Sequence, residues 1–339
     1  MHAPLSEATT SQAALHFAAA MLRLSELMVS KTLASNAMFL PVVPQDIAAM
    51  ALEEPTGRGS TLTVHTLGAE NEAEVLAFLA ERPIHTVFMS GFIHDNGLVS
   101  ELNRGTFYGC RNWLGRLEGV ALIGHFTLME TRSDAAIASF AQLGQACPSA
   151  HMILGEEDKI QSFWSHFAQA GRAPRRVCRE LLFELQSPIE ALEPVSGLRH
   201  AAPSDLQLIL PVFAQLVFQE TGADPLDLDP SGFSERCLRR IEQSRVWVWI
   251  QNERLIFSAN VVSESPDVIY LEGIYVDPDE RGKGCGLRCI SQLSRDLLQR
   301  AGSLCVLVNE QNPQAQAFYE KAGYKLRDYY DTIFLHLKN

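Results

Sequence analysis

An α/β fold with a mixed sheet, built twice in tandem, is predicted by two observations on this 339-residue chain. First, apolar runs typical of strands alternate with segments in which apolar residues recur every three to four positions, as on one face of a helix. Second, the same order of elements occurs twice: strand, two helices, three antiparallel strands, helix, strand, helix and strand. A linker with two prolines, at residues 187–196, separates the copies, and the length suits two domains.

The first copy is predicted at residues 59–186, after an N-terminal extension at 1–58 that we expect to be helical or partly disordered. Apolar alternation indicates its strands, helical periodicity indicates its helices, and Pro83 closes the first helix. The predicted strands are 61–66, 106–110, 113–118, 120–128, 152–154 and 177–185. The predicted helices are 71–82, 134–143 and 157–170, and residues 84–93 are predicted to be a second helical or mixed segment.

The second copy is predicted at residues 197–339 and repeats that order. Ser204 is expected to cap its first helix, and Pro211 to kink or break it. Asn312 starts the last helix with Pro313 at its first position, and Gly323 ends it. The predicted strands are 198–200, 246–251, 254–263, 268–276, 304–308 and 324–336. The predicted helices are 204–219, 232–243, 287–298 and 313–322.

The charge and the composition limit the class of partner. A formal net charge of −12 is unfavourable for holding a nucleic-acid backbone, which depends on clustered Lys and Arg. The charge suits a cationic small molecule or peptide better. No apolar run approaches the length of a membrane span, and the N-terminus lacks the pattern of a signal peptide, so we expect a cytoplasmic protein without membrane contact.

The cysteines and histidines predict neither disulfides nor a metal site. The seven cysteines are odd in number and none are spaced as CxxC, which is typical of reduced thiols in a reducing compartment. The ten histidines form no spacing that is typical of metal ligands. A homodimer is compatible with the sequence, which does not fix the oligomeric state.

The most informative stretch is a glycine-rich loop at residues 281–286, between a buried strand and a helix. Backbone N–H groups at a helix start, bared by glycines, bind phosphate. A Walker loop would need Ser or Thr after Lys283, and a dinucleotide fingerprint would need its third glycine one residue later. The remaining alternative is that the glycines form a turn with a purely structural role. The first copy has no glycine at the corresponding residues 129–134, where Glu130 and Asp134 would repel a phosphate.

Two motifs of the second copy resemble those of the GNAT superfamily of acyltransferases. Residues 281–286, Arg-Gly-Lys-Gly-Cys-Gly, match the family's Arg/Gln-x-x-Gly-x-Gly/Ala loop. The family's second signature, Asn-x-x-Asn-x-x-Ala-x-x-Phe-Tyr-x-Lys-x-Gly-Phe, is matched by Asn309, Asn312, Ala315, Phe318, Tyr319, Lys321, Gly323 and, in place of the last Phe, Tyr324. Over residues 61–337 the chain resembles tandem GNAT proteins whose N-terminal GNAT-like domain is degenerate and of unknown function.

The resemblance implies an acetyl-CoA site in the second copy, without a metal. The pyrophosphate would bind the backbone N–H groups of residues 281–286, and the pantetheine arm would lie between the strands that end at Val276 and Val308. The implied cofactor-binding residues are Ile274, Tyr275, Val276, Arg281, Gly282, Lys283, Gly284, Cys285, Gly286, Asn309 and Asn312. Asn312 also has a sufficient structural role as a helix cap.

Two residues are candidates for acid–base catalysis. Tyr319 matches the family's tyrosine that protonates the departing CoA thiolate, and the alternative is that it only packs under the cofactor. Glu272, on the strand before the glycine loop, would take the proton that a protonated amine must lose before it attacks a thioester. The alternatives are that Glu272 lies on an outer face or only binds the acceptor's charge, with Tyr270 as a substitute base.

The acceptor is expected to lie beside the connection between the first two helices of the second copy. The segment 220–230 carries Glu220, Asp224 and Asp227, which would suit a cationic amine; the alternative is a solvated acidic loop. The resemblance therefore implies direct transfer of an acetyl group from acetyl-CoA to an amine of a small molecule or peptide. A non-catalytic acyl-CoA sensor is the first alternative, and transfer of amino acids from tRNA, which the net charge disfavours, is the second.

Overall fold

The computed structural model describes residues 62–190, 192–221 and 224–336, in which helices alternate with twelve strands. The predicted extension at 1–58 lies outside these residues. The chain divides into two units. Within the described residues, the N-terminal unit comprises 62–180 and 329–336, and the C-terminal unit comprises 181–328.

The N-terminal unit contains the predicted order of elements. Its strands lie in the order β1-β2-β3-β4-β5-β12, with β4 and β5 parallel and the other characterised pairs antiparallel. The strands are β1 (Thr63–Thr66), β2 (Gly105–Arg111), β3 (Leu117–Gly124), β4 (Phe126–Thr131), β5 (Met152–Glu156), the first residues of β6 (Pro174–Leu185) and the last residues of β12 (Lys325–Leu335). The helices are α1 (Glu72–Leu79), α2 (Pro83–Asn96), α3 (Asp134–Ala146) and α4 (Glu157–Phe167).

The C-terminal unit has the strand order β7-β8-β9-β10-β11-β6, with β10 and β11 parallel. Its strands are β7 (Leu198–His200), β8 (Val246–Gln251), β9 (Arg254–Glu264), β10 (Val268–Val276), β11 (Ser303–Asn309) and the first residues of β12 (Lys325–Leu335). Its helices are α5 (Leu206–Thr221), α6 (Pro225–Leu228), α7 (Pro230–Glu242), α8 (Cys285–Leu297) and α9 (Pro313–Lys321). α5 contains Pro211 and runs through it without a break.

Two predicted strands of the first copy were placed wrongly. Residues 113–118 were predicted to be a strand, but the chain turns there: the Gly115 N–H donates to the Asn112 carbonyl at 2.8 Å, and Gly115 has a φ of 76°. Residues 120–128 were predicted to be one strand, but β3 ends at Gly124 and β4 begins at Phe126. A Cβ on Gly124 would lie 2.2 Å from the Arg104 carbonyl oxygen, so the chain bends at a close backbone approach.

Each unit takes one sheet strand from the other half of the sequence. Residues 181–185, predicted to close the first copy, belong to the C-terminal unit and contribute Leu181, Phe183 and Leu185 to its core. Residues 329–335, predicted to close the second copy, belong to the N-terminal unit, where Tyr330 pairs with Glu156 in the antiparallel ladder of β12 and β5. The sequence-based domain boundaries therefore differ from the units in these two strands.

The sheet of the C-terminal unit has an apolar core on each face. One core packs α8 and α9 against Phe257, Ala259 and Val261 of β9. The other packs α5 and α7 against Val246 and Val248 of β8. Because successive strand residues point to opposite faces, the residues of β9 and β10 between these core positions face α5 and α7.

Candidate active site

Strands β10 and β11 pair over only a short stretch and then separate. Their parallel register covers Val268 with Ser303 to Tyr270 with Cys305, although the strands continue to Val276 and Asn309. The cause lies in β10, whose pairing with β9 shifts between Glu272 and Tyr275. A bulge of this kind adds a residue to one strand and bends it.

Gly273 makes this bulge feasible. Its φ is +61°, in the left-handed region that residues with a Cβ rarely adopt. A Cβ at this position would also lie 2.5 Å from Nδ2 of Asn260 on the neighbouring strand. The bulge that separates the two strands therefore requires glycine at position 273, both for the positive φ and for the close contact with Asn260.

A cavity of about 580 Å³ occupies this gap, within the size range of small-molecule sites. Residues 271–276 of β10 line one side, and Leu307 and Val308 of β11 line the other. Arg281, Gly282, Gly284, Gly286 and Leu287 come from the glycine loop and the start of α8, and Asn312, Gln314, Ala315, Ala317, Phe318, Tyr319 and Lys321 come from α9 and its cap.

The glycines of the loop serve two structural purposes. Gly282 and Gly284 have φ values of 75° and 80°, and a Cβ on either would meet no atom within 4 Å, so their backbone is open on the cavity side. Gly284 is the N-cap of α8, and no side chain caps this helix start. Gly286 instead allows close packing, because a Cβ there would lie 2.8 Å from Cγ2 of Val276. The loop thus presents a bare, electropositive helix start to the cavity.

Three of the predicted cofactor-binding residues do not line the cavity. Lys283 Nζ lies 3.2 Å from Oε1 of Glu280, and Cys285 Sγ lies 3.9 Å from Oε2 of the same residue. Asn309 Oδ1 accepts a hydrogen bond from the Gln311 N–H at 2.8 Å. Each side chain is thereby accounted for by local structure, and a cofactor role for them stays a prediction.

The other eight line it. They are Ile274, Tyr275, Val276, Arg281, Gly282, Gly284, Gly286 and Asn312. The Arg281 Nε donates to the Val276 carbonyl at 3.0 Å, which fixes the loop to the end of β10. Asn312, only 2% exposed, accepts from the Ala315 N–H at 3.0 Å, so it caps α9 as predicted.

Glu272 and Tyr319 both line the cavity and interact electrostatically. Burial raises the pKa of Tyr319 well above its usual value, and the neighbouring Tyr324 and Glu272 raise this pKa further. Tyr319 is therefore protonated throughout the neutral range. Its ring packs edge-on to Phe318 and Tyr324, with centroids 5.2 and 5.3 Å away. Glu272 is 4% exposed, so it does not lie on a solvent-exposed face.

Two of the predicted acceptor-binding acids, Asp224 and Asp227, do not line this cavity. Asp224 caps α6 by accepting from the Leu226 N–H at 2.8 Å, and Asp227 is exposed on that helix. The side chain of Glu220 lies outside the described part of the chain. Asp229, the fourth carboxylate of the predicted acidic segment, caps α7 and lies 2.8 Å from the buried Arg236. The segment therefore uses part of its charge to start two helices.

In the N-terminal unit, the corresponding parallel strands carry an ion-pair cluster. β4 and β5 pair through only two residue pairs, from Phe126 with Met152 to Thr127 with Ile153. Beyond them, Glu130 contacts Arg82 at 3.1 Å and Lys159 at 2.7 Å. Glu156 contacts Lys159 at 2.6 Å and Arg82 at 2.9 Å. We call Arg82, Glu130, Glu156 and Lys159 the ion-pair cluster.

This cluster is expected to make stability sensitive to acid. Burial opposes ionisation of Glu156, but hydrogen bonds from Arg82 and Lys159 outweigh it and lower its pKa to about 2. Because the pKa is lower in the folded than in the unfolded state, the stabilisation is present above about pH 4.5 and is lost as the pH falls toward 2. Glu156→Gln should therefore flatten the acid-unfolding curve in this window, measured by circular dichroism. Asp158→Asn, an exposed neighbour, should leave the curve unchanged; equal curves for both variants would contradict the assignment.

Comparison with known proteins agrees with the class that the fold and the cavity define, a GNAT-type α/β protein. Residues 214–324 match the model of the acetyltransferase (GNAT) family, so this part of the chain is a GNAT family domain. A segment of 57 residues is 40% identical to the peptidyl-lysine N-acetyltransferase YjaB of Salmonella typhimurium, and covers 17% of this chain and 37% of that protein. The chain thus matches little more than a third of this relative's length.

Solved structures share the fold over most of the chain. A tandem GNAT protein from the clavulanic acid biosynthesis pathway superposes with a TM-score of 0.52 at 13% identity, covering 82% of this chain and 99% of its own. A GNAT family acetyltransferase from Colwellia psychrerythraea gives 0.50 at 12% identity, covering 80% and 99%. The predicted GNAT fold is confirmed by these likenesses. Among the described residues, no helix is long and apolar enough to cross a membrane.

Proposed function

We propose that this protein is an N-acetyltransferase that moves an acetyl group from acetyl-CoA directly to an amine of a small molecule or peptide. The supporting observation is that the glycine loop, Glu272 and Tyr319 all line one cavity in the gap between β10 and β11. A phosphate-binding end and two groups suited to proton transfer thus share one site. The relative named as a peptidyl-lysine N-acetyltransferase favours an amine acceptor.

The residues present fit an acyl-CoA. The bare backbone at Gly282 and Gly284 and the uncapped start of α8 suit a pyrophosphate, because unpaired helix N–H groups and the helix dipole attract anions. The apolar walls at Ile274, Leu307 and Val308 suit a mostly aliphatic arm. When bound, acetyl-CoA supplies the reactive thioester.

Glu272 and Tyr319 divide the proton transfers. Glu272 accepts one proton from the acceptor's ammonium group, which frees a nitrogen lone pair to attack the acetyl carbonyl carbon. Tyr319 gives its hydroxyl proton to the sulfur as the carbon–sulfur bond breaks, and the nitrogen's remaining extra proton restores the Tyr319 hydroxyl. A tyrosine that burial keeps protonated suits the role of acid.

A screen of amines and lysine-containing peptides with the full chain and acetyl-CoA tests this proposal. Thiol release that depends on the acceptor, with an acetylated product of the expected mass, would support it. Binding of acetyl-CoA without thiol release on any acceptor would favour the alternative, a non-catalytic acyl-CoA sensor. No binding at all would contradict both.

We also propose the domain organisation predicted above: an extension at 1–58, a degenerate GNAT-like domain at 59–186, a linker at 187–196 and a catalytic domain at 197–339. Two observations support the proposal that the domain at 59–186 is degenerate. They are the ion-pair cluster and the absence of glycine from residues 129–134.

Tyr319→Phe is expected to lower kcat by about 10²-fold, the usual contribution of a general acid, with little change in the Kd for acetyl-CoA. The ring and its packing remain, and only the hydroxyl is lost. Tyr324→Phe is a matched control, because this hydroxyl lies 3.2 Å from Oγ of Ser294 and the residue does not line the cavity. Steady-state kinetics and calorimetry measure the two quantities. A parallel loss of rate and affinity would indicate a packing role instead.

A further inference from the structure

Asn260 on β9 is a buried amide next to the site. It is 1% exposed, and among the described residues neither Oδ1 nor Nδ2 has a hydrogen-bond partner. An amide that is buried without hydrogen-bond partners lowers the stability of the folded state. In native structures such a group therefore usually has a protein or water partner.

Asn260 lies directly beside the proposed base. It is opposite Glu272 in the antiparallel register of β9 and β10, and side chains of such a pair project from the same face with Cβ atoms roughly 5 Å apart. Its Nδ2 also approaches the bulge, 2.5 Å from where a Cβ of Gly273 would lie. Because Gly273 has no side chain, the bulge leaves room for the Asn260 amide.

Ser258 extends the polar surface along the same strand. It is fully buried, its Oγ has no partner in the described part of the chain, and it pairs with Tyr275 just after the bulge. Because Ser258 and Asn260 are two residues apart, they project from the same face. That face also carries the apolar core under α5 and α7, so the two buried polar side chains lie beside Glu272 and close to apolar groups that offer them no hydrogen bond.

We propose that Asn260 and Ser258 hold a water molecule beside Glu272, and that this water carries the acceptor's proton to the Glu272 carboxylate. The inference rests on the proposed function. A water needs two to four polar partners, and the Asn260 amide, the Ser258 hydroxyl and the Glu272 carboxylate provide them. Asn260 and Ser258 are positioning residues in this scheme, since they act on the reaction through Glu272.

The step is a proton relay without change in oxidation state. The ammonium nitrogen of the acceptor gives a proton to the water oxygen, while one of the water's own protons passes to a Glu272 oxygen. The N–H bonding pair stays on nitrogen as the lone pair that attacks. Water is unchanged at the end, and Glu272 is neutral until it releases its proton to solvent.

The first test measures the Glu272 carboxyl directly by carbon NMR, with Glu272→Gln identifying its signal. A water that donates to the carboxylate favours the charged form, so Asn260→Leu, which keeps the branching of the side chain and removes the amide, should raise the pKa of Glu272 by about one unit. Tyr319 interacts electrostatically with this carboxyl, and the elements packed on the same face also carry Tyr270 on β10 and the buried Arg236 and Arg240 on α7. All are retained in the variant.

The second test is the pH profile of kcat/KM, whose acid limb should move upward with the same variant while the Kd for acetyl-CoA stays constant. Ser258→Ala removes one oxygen only and should shift the pKa of Glu272 in the same direction by less, which keeps the proposal testable if Asn260→Leu does not fold. Ser291→Ala, on α8, removes another buried hydroxyl without a partner among the described residues and should shift nothing.

The outcomes separate this inference from the function itself. An unmoved Glu272 pKa in both Asn260→Leu and Ser258→Ala would overturn the water relay, whether or not the enzyme is active. Absence of thiol release with the wild-type protein on every acceptor would contradict the proposed function, while the NMR result would still decide whether the polar pair and Glu272 are coupled. A crystal structure with a water bridging Asn260 and Glu272 would support the relay directly.

Discussion

Gly284→Glu is expected to abolish detectable acetyl-CoA binding, a loss of at least about 100-fold in Kd. Gly284 lies at the start of α8, where unpaired N–H groups and the helix dipole would attract a phosphate. A glutamate there would place a negative charge at the predicted pyrophosphate position. Two negative charges that face each other repel, which lowers the affinity. Isothermal titration calorimetry with acetyl-CoA measures the change.

The variant should still fold, which makes the result interpretable. A Cβ at Gly284 would meet no atom within 4 Å, so the cost is limited to backbone strain of about 1–3 kcal/mol at a φ of +80°. Gly171→Glu is the matched control: its φ is +76°, and a Cβ there also meets no atom within 4 Å. It lies in the N-terminal unit, so acetyl-CoA binding should survive. Undiminished binding by Gly284→Glu would refute the phosphate-binding loop.

The loop was predictable because its residues carry a local requirement. Few structural roles account for several glycines between a buried strand and an amphipathic helix. The structure shows a positive φ at Gly282 and Gly284 and close packing at Gly286. The bulge also had a sequence signal, since Gly273 lies inside a mostly apolar strand and such glycines often mark bulges. The prediction of one regular strand over 268–276 leaves this bulge out, although Gly273 lies where the cavity opens.

The exchanged strands were not predictable from periodicity. β6 and β12 are both long strands, and an alternating pattern identifies a strand without naming its partner. Only the packed structure shows that residues 181–185 complete one unit and residues 329–335 the other. The misplaced strands of the first copy have a similar origin, because an apolar run through Gly124 gives no sign of the Arg104 backbone that approaches it.

Asn260 was missed for a different reason. One asparagine within an apolar strand matches no motif, and its importance depends on which residue of β10 lies opposite it. That pairing follows from the register, which no local pattern specifies across the bulge. The role of a polar residue in a buried strand thus depends on its cross-strand partner, which here is the candidate base Glu272.

Glu272→Gln is expected to lower kcat/KM by about 10²- to 10⁴-fold near neutral pH, the range for loss of a general base. The substitution keeps the size and removes the proton acceptor, so the acceptor must arrive already deprotonated. The remaining rate should therefore rise with pH as the free amine becomes more abundant, whereas acetyl-CoA affinity should not change. Initial rates from pH 6 to 10, roughly spanning the lysine range, measure this.

Glu264→Gln provides the control, because this carboxylate at the end of β9 forms a partly exposed ion pair with Arg300 and pairs of that kind contribute little. It should leave kcat/KM close to the wild-type value. A rise in the acceptor KM with kcat intact would mean that Glu272 binds the acceptor's charge and takes no proton. An unchanged rate and pH profile would exclude both roles, and Tyr270, which precedes Glu272 by two residues on β10, would become the base to test.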